Sequence, residues 1–445
     1  MDNKLSFSSY LVIGIMLFAL FFGAGNLIFP ASLGQNAGTS LWVAIIGFLI
    51  TGIGLPFLGT LAMGFSGSKN LQELSSRVHP IFAIIFTSLL YLTIGPFFAL
   101  PRTGAVSYEI GIMPFVNSEY TQIGLFVFTV IFFGLTLWLS LNPSKIVDNV
   151  GKYLSPGILI GLLILLVLVI FKPMGDFSAP QGSYVDNAFM TGFTEGYNTM
   201  DALASLVFGI IVINAVRAMG VTSKKGILAA TAKSGAIAIF FLGIIYAGIG
   251  YLGATSVNKF GIMDTGGPVL SAASEHYFGS FGAILLAIVI ILACLTTSIG
   301  LTTACAEYFN TLIPAVSYKV FVIVFSVFTC VIANFGLANI ITYSVPVLML
   351  LYPLAIVLIL LAFLSPLFYH SRLVYVVVMF FTFLISIVDG LKALCESLEI
   401  EYFGWLQSIL NLYDNILPFY GVGLGWVIPF IVITVITSLI ARVIR

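Results

Sequence analysis

Leu17-Phe-Ala-Leu-Phe-Phe-Gly23-Ala24-Gly25-Asn26-Leu-Ile-Phe-Pro30 lies inside an apolar segment that runs from about Ser8 past Phe29. A bilayer-spanning helix needs about 20 mostly apolar residues. The segment meets that length and exceeds the apolar core of a signal peptide. Its middle does not suit a helix. Each glycine weakens a helix by roughly 1 kcal/mol, and Asn26 adds a polar amide deep in hydrocarbon. Backbone left unpaired in lipid costs several kcal/mol unless it lines a cavity or is covered by protein. The stretch therefore predicts a spanning helix that breaks around something.

The whole chain agrees with a membrane setting. Its 445 residues are 60% hydrophobic and 8% charged, against about 25% charged in soluble domains. The formal net charge of zero argues against nucleic acid as a partner. The four cysteines suggest no disulfide framework: Cys294, Cys305 and Cys330 sit in apolar segments and Cys395 near a loop. His79, His276 and His370 are isolated, a spacing that does not build a metal site.

Apolar stretches of spanning length fall near 9–34, 41–64, 81–108, 122–141, 153–171, 188–214, 234–253, 281–309, 317–334, 339–364, 373–391 and 424–441. The expectation is an all-α integral membrane protein of about twelve spans. It forms one transporter domain over 1–445, with a first repeat at 1–171, an inverted second repeat at 188–364 and two further helices at 373–441. With the N-terminus in the cytoplasm, Lys4, Lys69, Arg77, Lys145, Lys152, Arg217, Lys224, Lys225, Lys233, Lys319, Arg372, Arg442 and Arg445 lie inside. Arg102, Lys172, Lys259 and Lys392 then lie outside. This bias fits the positive-inside rule and places both termini in the cytoplasm. Trp405, Leu406, Ile409, Leu410, Ile416 and Leu417 recur at helical spacing, as in a helix lying on the membrane surface.

The first and sixth spans are both long and interrupted, and Thr51-Gly-Ile-Gly54 in the second echoes Ala247-Gly-Ile-Gly250 in the seventh. Paired interrupted helices point to a transporter binding site. Counting from the first break places the sixth-span break at 203–209, where Ser205, Phe208 and Gly209 occur. The polar run Glu195 to Asp201 is assigned to the outer vestibule. Glu195 and Asp201 are acids within an apolar span, candidates for gating or proton coupling. Glu307 and Arg102, toward span ends, are read as snorkelling to the interface. Gly95, Pro96 and Pro101 should bend the third span.

N–H groups at a half-helix start attract a carboxylate, and carbonyls of the other half attract a cation or ammonium. Crossed broken helices thus suit an amino acid. Its carboxylate falls to Gly23, Ala24, Gly25 and Asn26, its ammonium to the sixth-span break, and its side chain to Phe208. In the eighth span, the Ala293 carbonyl and the Thr296 and Thr297 hydroxyls share a helix face and could bind a cation. The competing reading is that these hydroxyls bond a carbonyl of their own helix.

Three motifs are familiar. Phe21 to Pro30, Gly95 to Glu109 (Gly-Pro-Phe-Phe-Ala-Leu-Pro-Arg-Thr-Gly-Ala-Val-Ser-Tyr-Glu) and Gly196 to Leu203 (Gly-Tyr-Asn-Thr-Met-Asp-Ala-Leu) resemble signatures of the bacterial branched-chain amino acid:cation symporters. The resemblance runs the whole chain. It implies import of leucine, isoleucine and valine across a bacterial plasma membrane, driven by Na⁺ or H⁺. More distantly, the chain resembles the bacterial leucine transporter, with its five-plus-five inverted repeat and broken first and sixth helices. That likeness implies a Na⁺ site at Ala19, Phe22, Ala293, Thr296 and Thr297. It also implies an unwound turn at Ser205 to Gly209, where Val207 departs from the family's glycine.

The expected activity is Na⁺-coupled symport by alternating access, with H⁺ coupling or another small solute as the alternative. No organic cofactor, obligate protein partner or enzymatic activity is expected. An ion channel is disfavoured by the lack of a charged ring or repeated filter, and an enzyme by the lack of a convergent reactive set.

Overall fold

A computed structural model describes residues 5–141 and 159–443. Lys4, Lys145, Lys152 and Arg445 lie outside the described residues, as does the start of the fifth stretch.

Among the described residues, every apolar stretch carries helix. The first span is α1 (Phe7–Phe21) and α2 (Ala24–Ala37). The second is α3 (Leu41–Leu49), a π turn (Ile50–Gly54) and α4 (Leu55–Ser66). After short α5 (Leu71–Ser76), the third is α6 (Pro80–Leu92), a π turn (Thr93–Phe97) and α7 (Ala99–Gly111). The fourth and fifth are α8 (Thr121–Leu141) and α9 (Leu159–Phe171). The sixth is α10 (Tyr184–Glu195), a 3-10 turn (Gly196–Thr199) and α11 (Asp201–Ala218). Then come α12 (Lys224–Phe260), α13 (Gly266–Leu312), α14 (Tyr318–Ala333), α15 (Leu337–Leu364) and α16 (Arg372–Ser397). Amphipathic α17 (Gly404–Ile416) and α18 (Val427–Val443) complete the chain. Ile131, Trp138, Leu285 and Ile288 are among many large apolar side chains left exposed, as on a surface solvated by lipid.

The expected bend in the third span is present. Gly95 leaves helical backbone at φ −99°, ψ −127°, and Pro96 after it has no N–H for the ladder. α13 leaves helical backbone at Gly279, where φ is +66°, which separates Gly266 to Phe278 from the longer part of the helix. In α17, Leu406 and Leu410 are buried against Val388 and Cys395 while Trp405 stays exposed.

Hydrogen bonds define two faces. Arg77 donates to the Ser66 carbonyl, Arg372 to that of Val78 and Arg442 to that of Leu367, while Lys233 lies 5.1 Å over the Tyr10 ring near the N-terminus. On the far face Thr39 N–H donates to the Ser178 carbonyl, Asn258 to that of Asp176 and Ser397 to that of Thr342.

Partner exchange organises the interior. Both halves of the first span pack on α12; α10 packs on α3 and α11 on α4. Glycines set these distances. A Cβ on Gly34 would stand 2.0 Å from the Gly250 carbonyl oxygen, and one on Gly192 would stand 1.9 Å from that of Ala44. No side chain fits there, so the backbones approach as closely as small-residue interfaces permit.

Candidate functional site

The first span breaks where the sequence says it should. α1 ends at Phe21, Phe22 turns to φ −74°, ψ 92°, and Gly23 is extended at φ −121°, ψ −166°. Asn26 makes this ending possible: its Oδ1 accepts the Gly23 N–H at 2.9 Å. The next N–H groups of α2 lack intrahelical partners, as at any helix start, and Ala24, Gly25 and Asn26 line a central chamber.

The sixth span breaks earlier than expected. Its interruption is Gly196 to Met200, and 203–209 is regular helix within α11. Ser205 Oγ donates to the Ala202 carbonyl at 2.7 Å, so its polarity is absorbed by its own helix. A Cβ on Gly209 would sit 3.1 Å from the Met63 side chain, which makes Gly209 a packing residue against α4. Neither Ser205 nor Gly209 lines the chamber; Phe208 does. In the true break, Thr199 Oγ1 donates to the Gly196 carbonyl at 3.0 Å, and Asn198 Nδ2 to Glu195 at 2.9 Å. Met200 takes φ +63°, ψ 6°, a left-handed conformation that costs a non-glycine residue roughly 1–2 kcal/mol. Such residues persist where surrounding structure holds them, often at functional sites.

The two breaks meet through one buried network. Asn26 Nδ2 donates to Asp201 Oδ2 at 2.5 Å and also contacts the Tyr246 hydroxyl. Tyr246 donates to the same carboxylate oxygen at 3.1 Å. All three side chains are buried, so a carboxylate joins the first, sixth and seventh spans with neutral partners only.

Of the other acids, Glu195 lines a separate vestibule toward the far face, with Asp264 and Glu396. Asp201 instead lines the chamber.

Thr297 also lines the chamber. A Cβ on Gly23 would stand 3.5 Å from Thr297 Cγ2 and 3.8 Å from its Oγ1, so the eighth span faces the first break there. Thr296 and Thr297 donate to the Ala293 carbonyl at 2.7 and 3.1 Å, the intrahelical pairing that competes with a cation. Ala293 and Thr296 do not line the chamber, nor do Ala19 and Phe22 of the first span.

Arg102 overturns its expected place. It does not snorkel: it is 2% exposed and lines the chamber. Its Nη1 donates to the Asn198 carbonyl at 2.6 Å and its Nη2 to Ser344 Oγ at 3.1 Å. The Phe29 ring lies 5.0 Å away. A carbonyl freed by the sixth-span break and a hydroxyl of α15 thus hold the charge inside. Sequence reasoning also missed Tyr246, Thr199 and Met200. The polar run at 195–201 was the available signal for the last two.

This is a multi-pass helical membrane protein of the transporter type whose first and sixth spans break at a shared chamber. Solved structures agree on the fold. One neighbour is the crystal structure of MhsT in complex with L-phenylalanine, at TM-score 0.56 and 15% identity, covering 100% of this chain and 99% of that one. Another is the Eremococcus coleocola manganese transporter in complex with an aromatic bis-isothiourea compound, at TM-score 0.58 and 13% identity, covering 99% and 98%. At these identities the likeness concerns the fold alone.

The chain belongs to the family described as branched-chain amino acid transport protein, which matches residues 6–444. It is 49% identical over 431 residues to the branched-chain amino acid permease BrnQ of Bacillus subtilis (strain 168), covering 97% of this chain and 96% of the relative. To the permease BraB of the same organism it is 51% identical over 436 residues, covering 98% and 96%. The family consists of transporters, not enzymes.

Proposed function

We propose that this protein imports leucine, isoleucine and valine with a coupling cation by alternating access, across a bacterial plasma membrane with both termini cytoplasmic. On this reading 1–171 and 188–364 are inverted repeats, consistent with the reciprocal packing of the first span on the seventh and the sixth on the second. The observation that carries the reading is the convergence of two helix breaks on one buried chamber with a carboxylate at its wall.

The substrate carboxylate sits at Gly23 to Asn26 and meets the free N–H groups that open α2 from Ala24 to Asn26, the Gly23 N–H being held by Asn26, where the helix dipole favours an anion. The ammonium meets the sixth-span break and Asp201. The apolar side chain packs against Phe208. Burial at ~0.8 kcal/mol per CH₂ then favours leucine over alanine by roughly 2 kcal/mol.

Na⁺ is the preferred coupling ion, held by Thr297 and Thr296 with the carbonyls of Ala293, Ala19 and Phe22; hard cations take oxygen ligands. Binding would draw α1 toward α13 and reorient both threonine hydroxyls from the Ala293 carbonyl. One charge crossing ~100 mV supplies about 2.3 kcal/mol, enough for roughly fifty-fold accumulation. Radiolabelled leucine uptake with and without Na⁺, in wild type and Thr297→Ala, tests this. Loss of the Na⁺ stimulation in the variant is expected; unchanged Na⁺ dependence overturns the cation assignment.

Proton coupling is the second reading, favoured by one observation: Asp201 is buried with only neutral partners. Leucine uptake on a pH gradient alone, without Na⁺, would establish it and displace the Na⁺ reading.

A further inference from the structure

Arg102 joins four parts of the molecule at the boundary between two cavities. The central chamber, of about 50 Å³, and the far-face vestibule, of about 440 Å³, share no lining residue. Arg102 lines the first. Two of its partners, Phe29 of α2 and Asn198 of the sixth-span break, line the second. Its third partner, Ser344 of α15, does not line the vestibule but lies in the same helix turn as Thr342 and Val345, which do. The guanidinium therefore spans the partition.

The contacts themselves suit a reversible closure. Among the described residues Arg102 has no carboxylate partner; the one ion pair there is Lys392 with Glu396. A main-chain carbonyl, a hydroxyl and a ring face hold it instead. Its Nε is buried with no hydrogen-bond partner. A purely structural buried arginine is ordinarily paired and fully bonded. This one is held by neutral groups drawn from three different elements, α2, the sixth-span break and α15.

We propose that Arg102, with Phe29, the Asn198 carbonyl and Ser344, is the far-face gate of the substrate chamber. The chamber and vestibule join only when the guanidinium releases the sixth-span break and α15. The sixth-span break thereby serves two neighbours, offering Asp201 to the chamber and the Asn198 carbonyl to the gate. The proposal rests on the transport reading for which cavity receives substrate.

The test needs no substrate. Ala204, a chamber residue, is replaced by cysteine in a protein whose four native cysteines are changed to alanine. A membrane-impermeant methanethiosulfonate is applied to the far face of intact cells, and labelling is normalised to inserted protein. Arg102→Gln is expected to raise the labelling rate of Ala204→Cys at least five-fold, Arg102→Lys less, and Phe29→Leu two- to five-fold. The vestibule reporter Ser32→Cys should label at an unchanged rate, and the fully buried Ala62→Cys should stay unlabelled. Unchanged labelling of Ala204→Cys in both Arg102→Gln and Phe29→Leu overturns the gate. So does labelling of Ala62→Cys, which would report general loosening. Wild-type leucine uptake is measured alongside: its absence would overturn the transport reading while leaving the labelling result to judge the gate.

Discussion

The first span is interrupted by an extended glycine between two helices, whereas the sixth is interrupted by a 3-10 turn and a methionine in the left-handed region. At the first break one side chain, Asn26, closes the gap by taking the Gly23 N–H. At the sixth, the work is spread over Thr199, Asn198 and Glu195, and Thr51 of the neighbouring span donates to the Phe193 carbonyl at 2.7 Å. A glycine break is local and can be seen in a short window of sequence. A polar-capped break depends on neighbours, and its position shifts with them.

The contrast yields an ordered set of tests. Asp201→Asn should have the largest effect, because the Asp201 carboxylate is the point where both breaks are tied together. The Asn26 and Tyr246 bonds to it lose their charge assistance; hydrogen bonds to charged groups are worth about 1.5–3 kcal/mol, so leucine uptake should fall roughly ten- to 100-fold at equal protein level. Uptake within two-fold of wild type would separate the sixth-span break from substrate handling.

Gly196→Ala comes next. Its Cβ would stand 2.0 Å from Thr51 Oγ1, and overpacking of this kind costs about 1–3 kcal/mol. Thermal unfolding of the detergent-purified protein should show the loss, and Thr51→Ala in the same chain should recover part of it, since contacting sites are not additive. Strict additivity would mean that the sixth break is not held by the second span.

The smallest effects belong to residues that the sequence makes conspicuous. Gly23 has φ −121° and ordinary spacing to Thr297, so Gly23→Ala should leave stability unchanged or raise it by up to about 1 kcal/mol. A drop of several kcal/mol would show that the first break needs glycine for more than its local backbone. Ser205→Ala should leave the half-saturating leucine concentration within two-fold. A ten-fold rise would restore Ser205 to the site and undo the relocation of the break.

Much of the architecture was legible from composition and spacing. Apolar stretches of bilayer length became helices, and Gly95 with Pro96 bent the third span as proline chemistry requires. The helical recurrence of Leu406 and Leu410 became α17. The first break was likewise readable. The sixth break was displaced because the reading sought a serine and glycine, and both proved to be satisfied within α11 or packed on α4. Arg102 was misplaced because its position near a span end suggested an interface, while its acceptors come from residues 96 and 242 positions away.

What the sequence alone determined was the solvent of the chain and the helices that follow from it. Lipid offers no hydrogen bonds, so long apolar runs must satisfy their backbone internally, and glycine with asparagine marks where one run does not. Only the tertiary structure decided where the second break falls and which charges it serves. Asn26, Asp201 and Tyr246 are separated by 175 and 45 positions in the chain. A buried polar group is stable only where distant partners complete its hydrogen bonds, and no local pattern of residues specifies those partners.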